Sequence, residues 1–294
     1  MLHEDPVARF ERDRAALARI KRRQTVLFLG LFVLAFLASA YAGEFYPSKL
    51  YAGLPRTGEY LYRIMPTLRF DALFEGSKVK GSIAYWFYRF TPWALMLLET
   101  VQMAFLATVA AAIVGGAASF AASRNLVRGR VGYFLVRRLL ELLRTVPELV
   151  YALILVWAFG VGPLAGVIAI FLHTTGALGK LFAEANENLD LKPLDGIRAA
   201  GGNWVQAMRF GALPQVLPNF ASYILLRFEI NVRGASVVGF VGAGGIGQEL
   251  NQVISQNYYE EISAIVLLVI LCVVAIDLAS EAVRHRLIGR ESLA

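Results

Sequence analysis

Five polar side chains interrupt one apolar run late in the chain. Arg227, Glu229, Asn231, Arg233 and Ser236 lie between Phe220 and Val238. A charge at the centre of a bilayer costs about 2.5–3.5 kcal/mol on insertion scales, so such groups pair with one another or line a wet cavity. Glu229 and Arg233 are four residues apart, the spacing of an ion pair along one helix face. Two readings stand side by side: a structural ion pair between helices, and a lining that passes an anion, with Arg233 as its weak, transient contact. A transport path binds weakly because its cargo must leave. Further on, Gly242-Ala243-Gly244-Gly245-Ile246-Gly247 has the GxGxxG spacing of a dinucleotide loop and follows the strand-like VVGFV. That fingerprint needs a βαβ unit around it, and the flanking sequence offers none. A flexible, tightly packed turn is the better reading, in which Gly242, Gly244 and Gly245 serve either loop packing or a gate. His173 reads as a hydrogen-bonded packing residue, and Glu148, after Pro147, as an electrostatic cap of a new helix start. Neither reads as catalytic. The chain has no GxxxxGK[ST], no HExxH and no GxSxG, so no catalytic and no metal-binding residue is assigned. Cys272 is the only cysteine, which leaves no intrachain disulfide and no cysteine-based metal site.

The elements that must hold these residues are set by composition. Of 294 residues, 57% are hydrophobic and only 17% charged, where a soluble domain carries about a quarter charged. This predicts an all-α, polytopic membrane helix bundle with about six transmembrane helices, in which every backbone polar group is satisfied internally. The net charge of +7 fits arginine and lysine gathered in cytoplasmic loops and does not call for nucleic acid. No cleavable signal peptide stands out. Residues 1–24 form a basic segment, read either as a short helix on the membrane surface or as a solvated tail. Residues 25–42 are the first span. Residues 43–94 are an extracytoplasmic connection with short interfacial helices, whose rings Tyr85-Trp86-Phe87-Tyr88 favour the headgroup level.

A core over 95–283 carries the remaining spans. Its first, from Leu95 to Ala122, is rich in small residues and packs inside the bundle. Arg124, Arg128, Arg130, Arg137, Arg138 and Arg144 mark a cytoplasmic loop, helical over 133–143. The apolar run from Pro147 to Phe159 is short, so it starts near Leu139 or is broken around Arg144–Glu148. Spans follow over 164–182, 220–238 and 265–279. Residues 239–262 contain no Lys or Arg, as expected of an outside loop, and Arg284, Arg286 and Arg290 place the 284–294 tail in the cytoplasm. Both termini are therefore expected inside, as is the polar stretch 184–214.

That stretch ends in DGIRAAGGNWVQAMRFGALP. Ile197, Ala200, Trp204, Ala207 and Met208 recur at helical spacing, and Gly201-Gly202 reads as a turn between two short helices. The stretch resembles the cytoplasmic EAA loop of permease subunits of ATP-binding cassette importers: Glu-Ala-Ala, three residues, Gly, nine residues, Ile, one residue, Leu-Pro. Asp195-Gly196-Ile197 stands at the triplet, Gly201 at the Gly, Gly211 at the Ile and Leu213-Pro214 at the Leu-Pro. LLETVQMAFLAT, LRTVPELVYALILVWAFGVGPLAGVIAI and RFEINVRGASVVGFVGAGGIGQEL are similar to permeases of phosphonate importers. The resemblance covers most of 95–285 and implies a type I importer permease of MetI-like architecture in the inner membrane. It implies a homodimer, two ATPase subunits that use ATP and Mg, an extracytoplasmic binding protein, and a phosphonate- or phosphate-like solute, with no cofactor on this chain. Asp195, Arg198, Ala200, Gly201, Trp204, Met208, Leu213 and Pro214 are the expected ATPase-coupling residues, with Trp204 and Met208 as apolar anchors and Arg198 and Arg209 at the rim. Other readings remain open. They are a permease for another small solute, a secondary transporter, which would show inverted repeats, and a membrane enzyme acting on lipid-linked substrates, which would need clustered acids or histidines.

Overall fold

A computed structural model describes residues 6–127 and 129–288. The expectations for Arg128, Arg290 and the end of the tail lie outside the described residues. All regular elements among the described residues are helical, so the strand-like VVGFV is not a strand; it closes one helix and opens a 3₁₀ turn.

The chain divides into two compact units, the first ending at Arg63. In this first unit, α1 (Pro6–Ala42) runs unbroken through the basic segment and the first expected span. The boundary expected at residue 24 is absent. Ala, Leu, Arg and Lys all favour helix, and at the junction the Thr25 hydroxyl donates to Lys21 O within the helix. At 1.5 Å per residue α1 is about 55 Å long, well beyond an apolar bilayer core of about 30 Å. α2 (Pro47–Ile64) follows, with Pro55 inside it and no buried residue.

The second unit begins at Ile64. α3 (Ile83–Trp86) is a single turn capped by Ser82, whose Oγ accepts from Tyr85 N. α4 (Phe90–Ala121) and α7 (Pro163–Glu187) form the central pair. Their backbones approach through small residues: a methyl group on Gly115 would lie 3.1 Å from both Thr175 O and Gly179 N. α5 (Arg130–Thr145) seats on α7 in the same way, since a methyl on Gly176 would lie 2.5 Å from Arg144 N and 2.6 Å from Leu140 O. α10 (Leu213–Val238) packs on α4 and α7, with Phe220 stacked on Phe182 at 3.9 Å between centroids. α11 (Gly245–Ser255) and α12 (Tyr259–Ile288) complete the unit. The aromatic run before α4 ties onto them. Trp86 Nε1 donates to Glu260 O and Ser263 Oγ. Tyr88 donates to Glu261 at 2.7 Å, and burial together with that bond pushes its hydroxyl up to about 12. Buried Glu249 joins Arg89 at 2.8 Å and Trp93 Nε1 at 3.3 Å.

Among the described residues α1, α4, α7 and α12 are long and apolar enough to cross a membrane. The other two expected spans differ. α10 has 26 residues, but Arg227, Glu229 and Arg233 interrupt its apolar character. α6 (Glu148–Phe159) has only 12, about 18 Å, because the helix breaks at Val146-Pro147 where α5 ends. Carbonyls freed by the break are taken up: Tyr151 OH donates to Leu143 O, and His173 Nδ1 to Val146 O at 2.9 Å. His173 is thus the packing residue its sequence context suggested.

Replacing Gly115 by Val should lower the thermal midpoint of the purified chain in detergent, at a cost of about 1–3 kcal/mol for overpacking. Gly132→Val, at a position with nothing within 4 Å, should leave that midpoint unchanged.

Candidate functional site

The polar stretch between α7 and α10 folds into a knob. α8 (Lys192–Ala199) drives Leu194 inward, where it packs with Leu126, Ala207, Met208 and Ala212. The chain then turns at Gly201, whose φ of +85° lies in the left-handed region that glycine enters at no steric cost. Gly202 N donates to Ile197 O at 2.9 Å and closes the turn. Asn203 opens the next helix through a reciprocal capping box with Gln206. From there α9 (Trp204–Gln206), a π-helical turn (Ala207–Ala212) and α10 form one continuous path. The helix–Gly turn–helix reading holds. Pro214 sits in the first turn of α10, directly after the π-helical turn. Pro218 lies inside α10 and does not mark its start.

The outer surface of the knob is apolar. Trp204 is 45% exposed and anchored through Nε1 to Leu126 O at 2.9 Å; Val205 and Phe210 are each 63% exposed. Arg209 lies over the Phe210 ring, and Arg198 pairs with Asp195 at 3.3 Å. Ala200, Gly201 and Pro214 are exposed and Leu213 is half-buried. Met208 does not belong to this surface. It is only 5% exposed and packs inward, which corrects its role as a partner anchor. Ala207, Met208, Gly211 and Ala212 form the inner stripe, and that spacing, read strictly, would have turned Val205 and Phe210 outward.

Two of the departures from the EAA pattern meet in space. Ile197 holds the last position of the triplet, where the pattern has Ala, and Gly211 holds the Ile position. A methyl group on Gly211 would lie 3.2 Å from Ile197 Cδ1 and 3.2 Å from Leu194 Cδ1. Ile197 and Leu194 thus fill the space beside Gly211.

The polar residues of α10 point to different neighbours. Asn231 is fully buried: its amide donates to Thr108 Oγ1 at 2.8 Å and accepts from Thr174 Oγ1 at 3.1 Å. It ties α10 to α4 and α7, which corrects its place in a cavity lining. Buried Glu229 is bonded to Arg233, whose side chain is 54% exposed. Beside Glu229 a cleft of about 380 Å³ opens against Asp277, Glu281, Arg284 and His285 of α12. Ser236 donates to Val232 O. Arg227 Nε is buried with no hydrogen-bond partner, and Glu148 Oε1 of α6 rests against Gly234. The glycine turn is packed. Gly242, Gly244 and Gly245 have φ of +88°, +82° and +70°, Gly244 abuts Pro163 and Gly245 abuts Thr100, and Ile246 N donates to Thr100 Oγ1.

A family model for the binding-protein-dependent transport system inner membrane component matches residues 113–291. The chain belongs to this family. It is a transport permease and not an enzyme. It is 39% identical over 198 residues to the phosphite transport system permease protein PtxC of Stutzerimonas stutzeri, covering 67% of this chain and 72% of that protein. It is 32% identical over 280 residues to a putative phosphite transport system permease protein of the same organism, covering 93% and 92%. It is 32% identical over 254 residues to a phosphate-import permease protein of Mycolicibacterium smegmatis, covering 86% of this chain and 44% of that one. Among solved structures, an inward-facing MetNI methionine ABC transporter aligns with TM-score 0.57 at 19% identity, over 67% of this permease and 98% of that chain. An amino acid ABC transporter aligns with TM-score 0.54 at 16% identity, over 68% and 98%. These two likenesses carry the fold: a MetI-like permease core.

Gly211→Ile alone should overpack the knob and destabilise it by about 1–3 kcal/mol. Adding Ile197→Ala should restore most of that loss, read as thermal midpoints of the single and double variants.

Proposed function

We propose that this permease forms the translocation pathway of an ATP-driven importer for a phosphorus oxyanion: phosphite, phosphate or a phosphonate. The names of its relatives support the solute class, since the chain covers 92% of one putative phosphite permease and 72% of another phosphite permease. In this reading two copies pair in the inner membrane with both termini in the cytoplasm, and lipid surrounds them. A binding protein delivers the anion from outside, and two ATPase subunits, which bind ATP and Mg, drive alternating access. This chain holds no cofactor of its own.

The observation that carries the coupling role is the knob. Its exposed Trp204, Val205 and Phe210 make an apolar tip rimmed by Asp195, Arg198 and Arg209, the anatomy of a docking surface. Its continuity into α10 makes the linkage stiff. A groove in the ATPase that closes on the tip would then carry α10 with it as a rigid body. The exposed stripe of α10, with Arg233, Leu226, Ile230 and Val237, is the wall offered to the pathway, and Glu229 and Ser236 stand beside it. The turn at Gly242, Gly244 and Gly245 closes the outer mouth.

Val205→Glu places a charge at the tip without touching the inner stripe. In a reconstituted complex it should reduce binding-protein-stimulated uptake at least about tenfold, the loss of one interface anchor, while the chain keeps its thermal midpoint. Gly201→Pro should uncouple hydrolysis from uptake through the turn. Normal transport by either variant rules out the docking assignment, and a purified chain that moves anions on an ion gradient without the ATPase rules out the ATP-driven reading.

A further inference from the structure

The ion pair on the exposed stripe of α10 is lopsided. Leu226, Ile230, Arg233 and Val237 share that stripe, and Glu229 stands at its edge, about 40° from Arg233 around an ideal helix. The Glu229 side chain is 7% exposed and the Arg233 side chain 54%. Oε1 of Glu229 meets Nη2 of Arg233, and among the described residues neither side chain has another ion pair or hydrogen bond. A buried carboxylate is costly to leave without a partner. Glu229 is therefore the fixed member of the pair, and the guanidinium is the member that reaches the open side.

What Arg233 has left to offer follows from its shape. A guanidinium carries five N–H donors in a planar fork, and Nη2 contributes one hydrogen to each of its two donor edges. A single carboxylate oxygen on Nη2 leaves one edge whole, whichever hydrogen it takes. Such an edge binds two oxygens of one tetrahedral anion. Glu229 has a second exposure, to the cleft of about 380 Å³ between α10 and α12, which Leu226 of the stripe also lines. The cleft therefore opens along the same wall as Arg233. Across it stand Asp277, Glu281, Arg284 and His285, with His285 Nε2 3.6 Å from Glu281. Three carboxylates thus line it against one arginine and one histidine. In the orientation proposed above, the cleft lies on the ATPase side of Arg233, because Leu226 precedes Arg233 on a helix that starts at the knob.

We propose that Glu229 is a positioning residue for transport. It fixes Arg233 against the wall with one donor edge open, and its charge, backed by Asp277 and Glu281, keeps that edge's hold on a passing oxyanion weak. This rests on the oxyanion reading above. The anion shares the guanidinium with Glu229 and does not displace it, because displacement would strand a buried charge. An arginine without that neighbour, in a path shielded from water, would retain its cargo. Repulsion from a fixed carboxylate beside it shortens the stay, as conduction requires. The carboxylates of α12 act in the same sense on the way out and discourage an anion from returning.

The test uses the full complex of permease, ATPase and binding protein in proteoliposomes, with radiolabelled phosphite, phosphate and methylphosphonate. Glu229→Gln keeps an acceptor for Arg233 and removes the charge. It should lower the maximal uptake rate, and half-inhibition by anion preloaded on the ATPase side should need about tenfold less anion, the scale of one close charge pair. Glu229→Gln with Arg233→Gln leaves no buried charge unpaired and should lose that added inhibition. Asp277→Asn with Glu281→Gln, at exposed positions of the cleft, should strengthen the inhibition roughly threefold, as befits exposed charges. Unchanged inhibition in Glu229→Gln overturns the proposal, even where uptake falls, since that marks a merely structural pair. Added inhibition that persists in the Glu229/Arg233 double variant overturns it too, because the effect then does not pass through Arg233. If Glu229→Gln does not assemble, the α12 variant decides, and unchanged inhibition there is the overturning result. A wild-type complex that takes up none of the three anions removes the oxyanion reading itself, whereas a transporting wild type with an indifferent Glu229→Gln removes only this role of Glu229.

Discussion

Backbone-to-backbone contact along α7 is the constraint on which the second unit depends. Gly115 brings α4 against α7 on one side, and Gly176 brings α5 against it on another, each at a distance that leaves no space for a methyl group. In a solvent as apolar as the helices themselves, burial supplies little drive for helix association, and close packing has to supply it. Seating α5 so tightly aligns its last turn with Thr174–His173 of α7, and the chain cannot continue straight past Pro147, which lacks an N–H. It breaks, the carbonyls left behind go to Tyr151 and His173, and α6 restarts at an angle that carries Glu148 to Gly234. Glycine positions thus determine where a carboxylate can stand inside the bundle.

α10 shows how one helix distributes polar groups according to the faces it presents. Asn231 meets two threonines and becomes a cross-link among three helices. Glu229 meets Arg233 and pairs with it. Arg227 makes no ion pair and no hydrogen bond among the described residues. These residues lie within seven positions of one another, and their difference in role comes from rotation by 100° per residue into three different environments. The knob makes the same point at smaller scale. Trp204, Val205 and Phe210 face out, while Met208 faces in against Leu126 and Leu194. Ile197 and Leu194 fill the space that Gly211 leaves open, since packing registers joint volume and not the identity of either member.

Much of this protein was legible in the chain itself. Its hydrophobic fraction and loop charges announced a membrane bundle, and the Gly201 to Leu213-Pro214 spacing announced the knob, because glycine, proline and capping residues act locally and are readable one turn at a time. Small residues in α4 signalled close packing for the same reason. The break at Val146-Pro147 was visible as one of two alternatives, since the apolar run from Pro147 to Phe159 is too short to span. By contrast, α1 appeared as two elements in sequence because polarity changes at residue 24, whereas helix propensity does not.

What sequence alone determined, then, was the set of elements, the positions of turns and the kinds of side chain available for function. Tertiary structure alone decided which of those side chains were free. Met208 and Asn231 look as eligible as Phe210 and Arg233 along the chain. They differ only in what other helices bring to within a few ångströms, and hydrogen bonding, ion pairing and burial fall off over that distance, so the assignment exists only once the helices have packed.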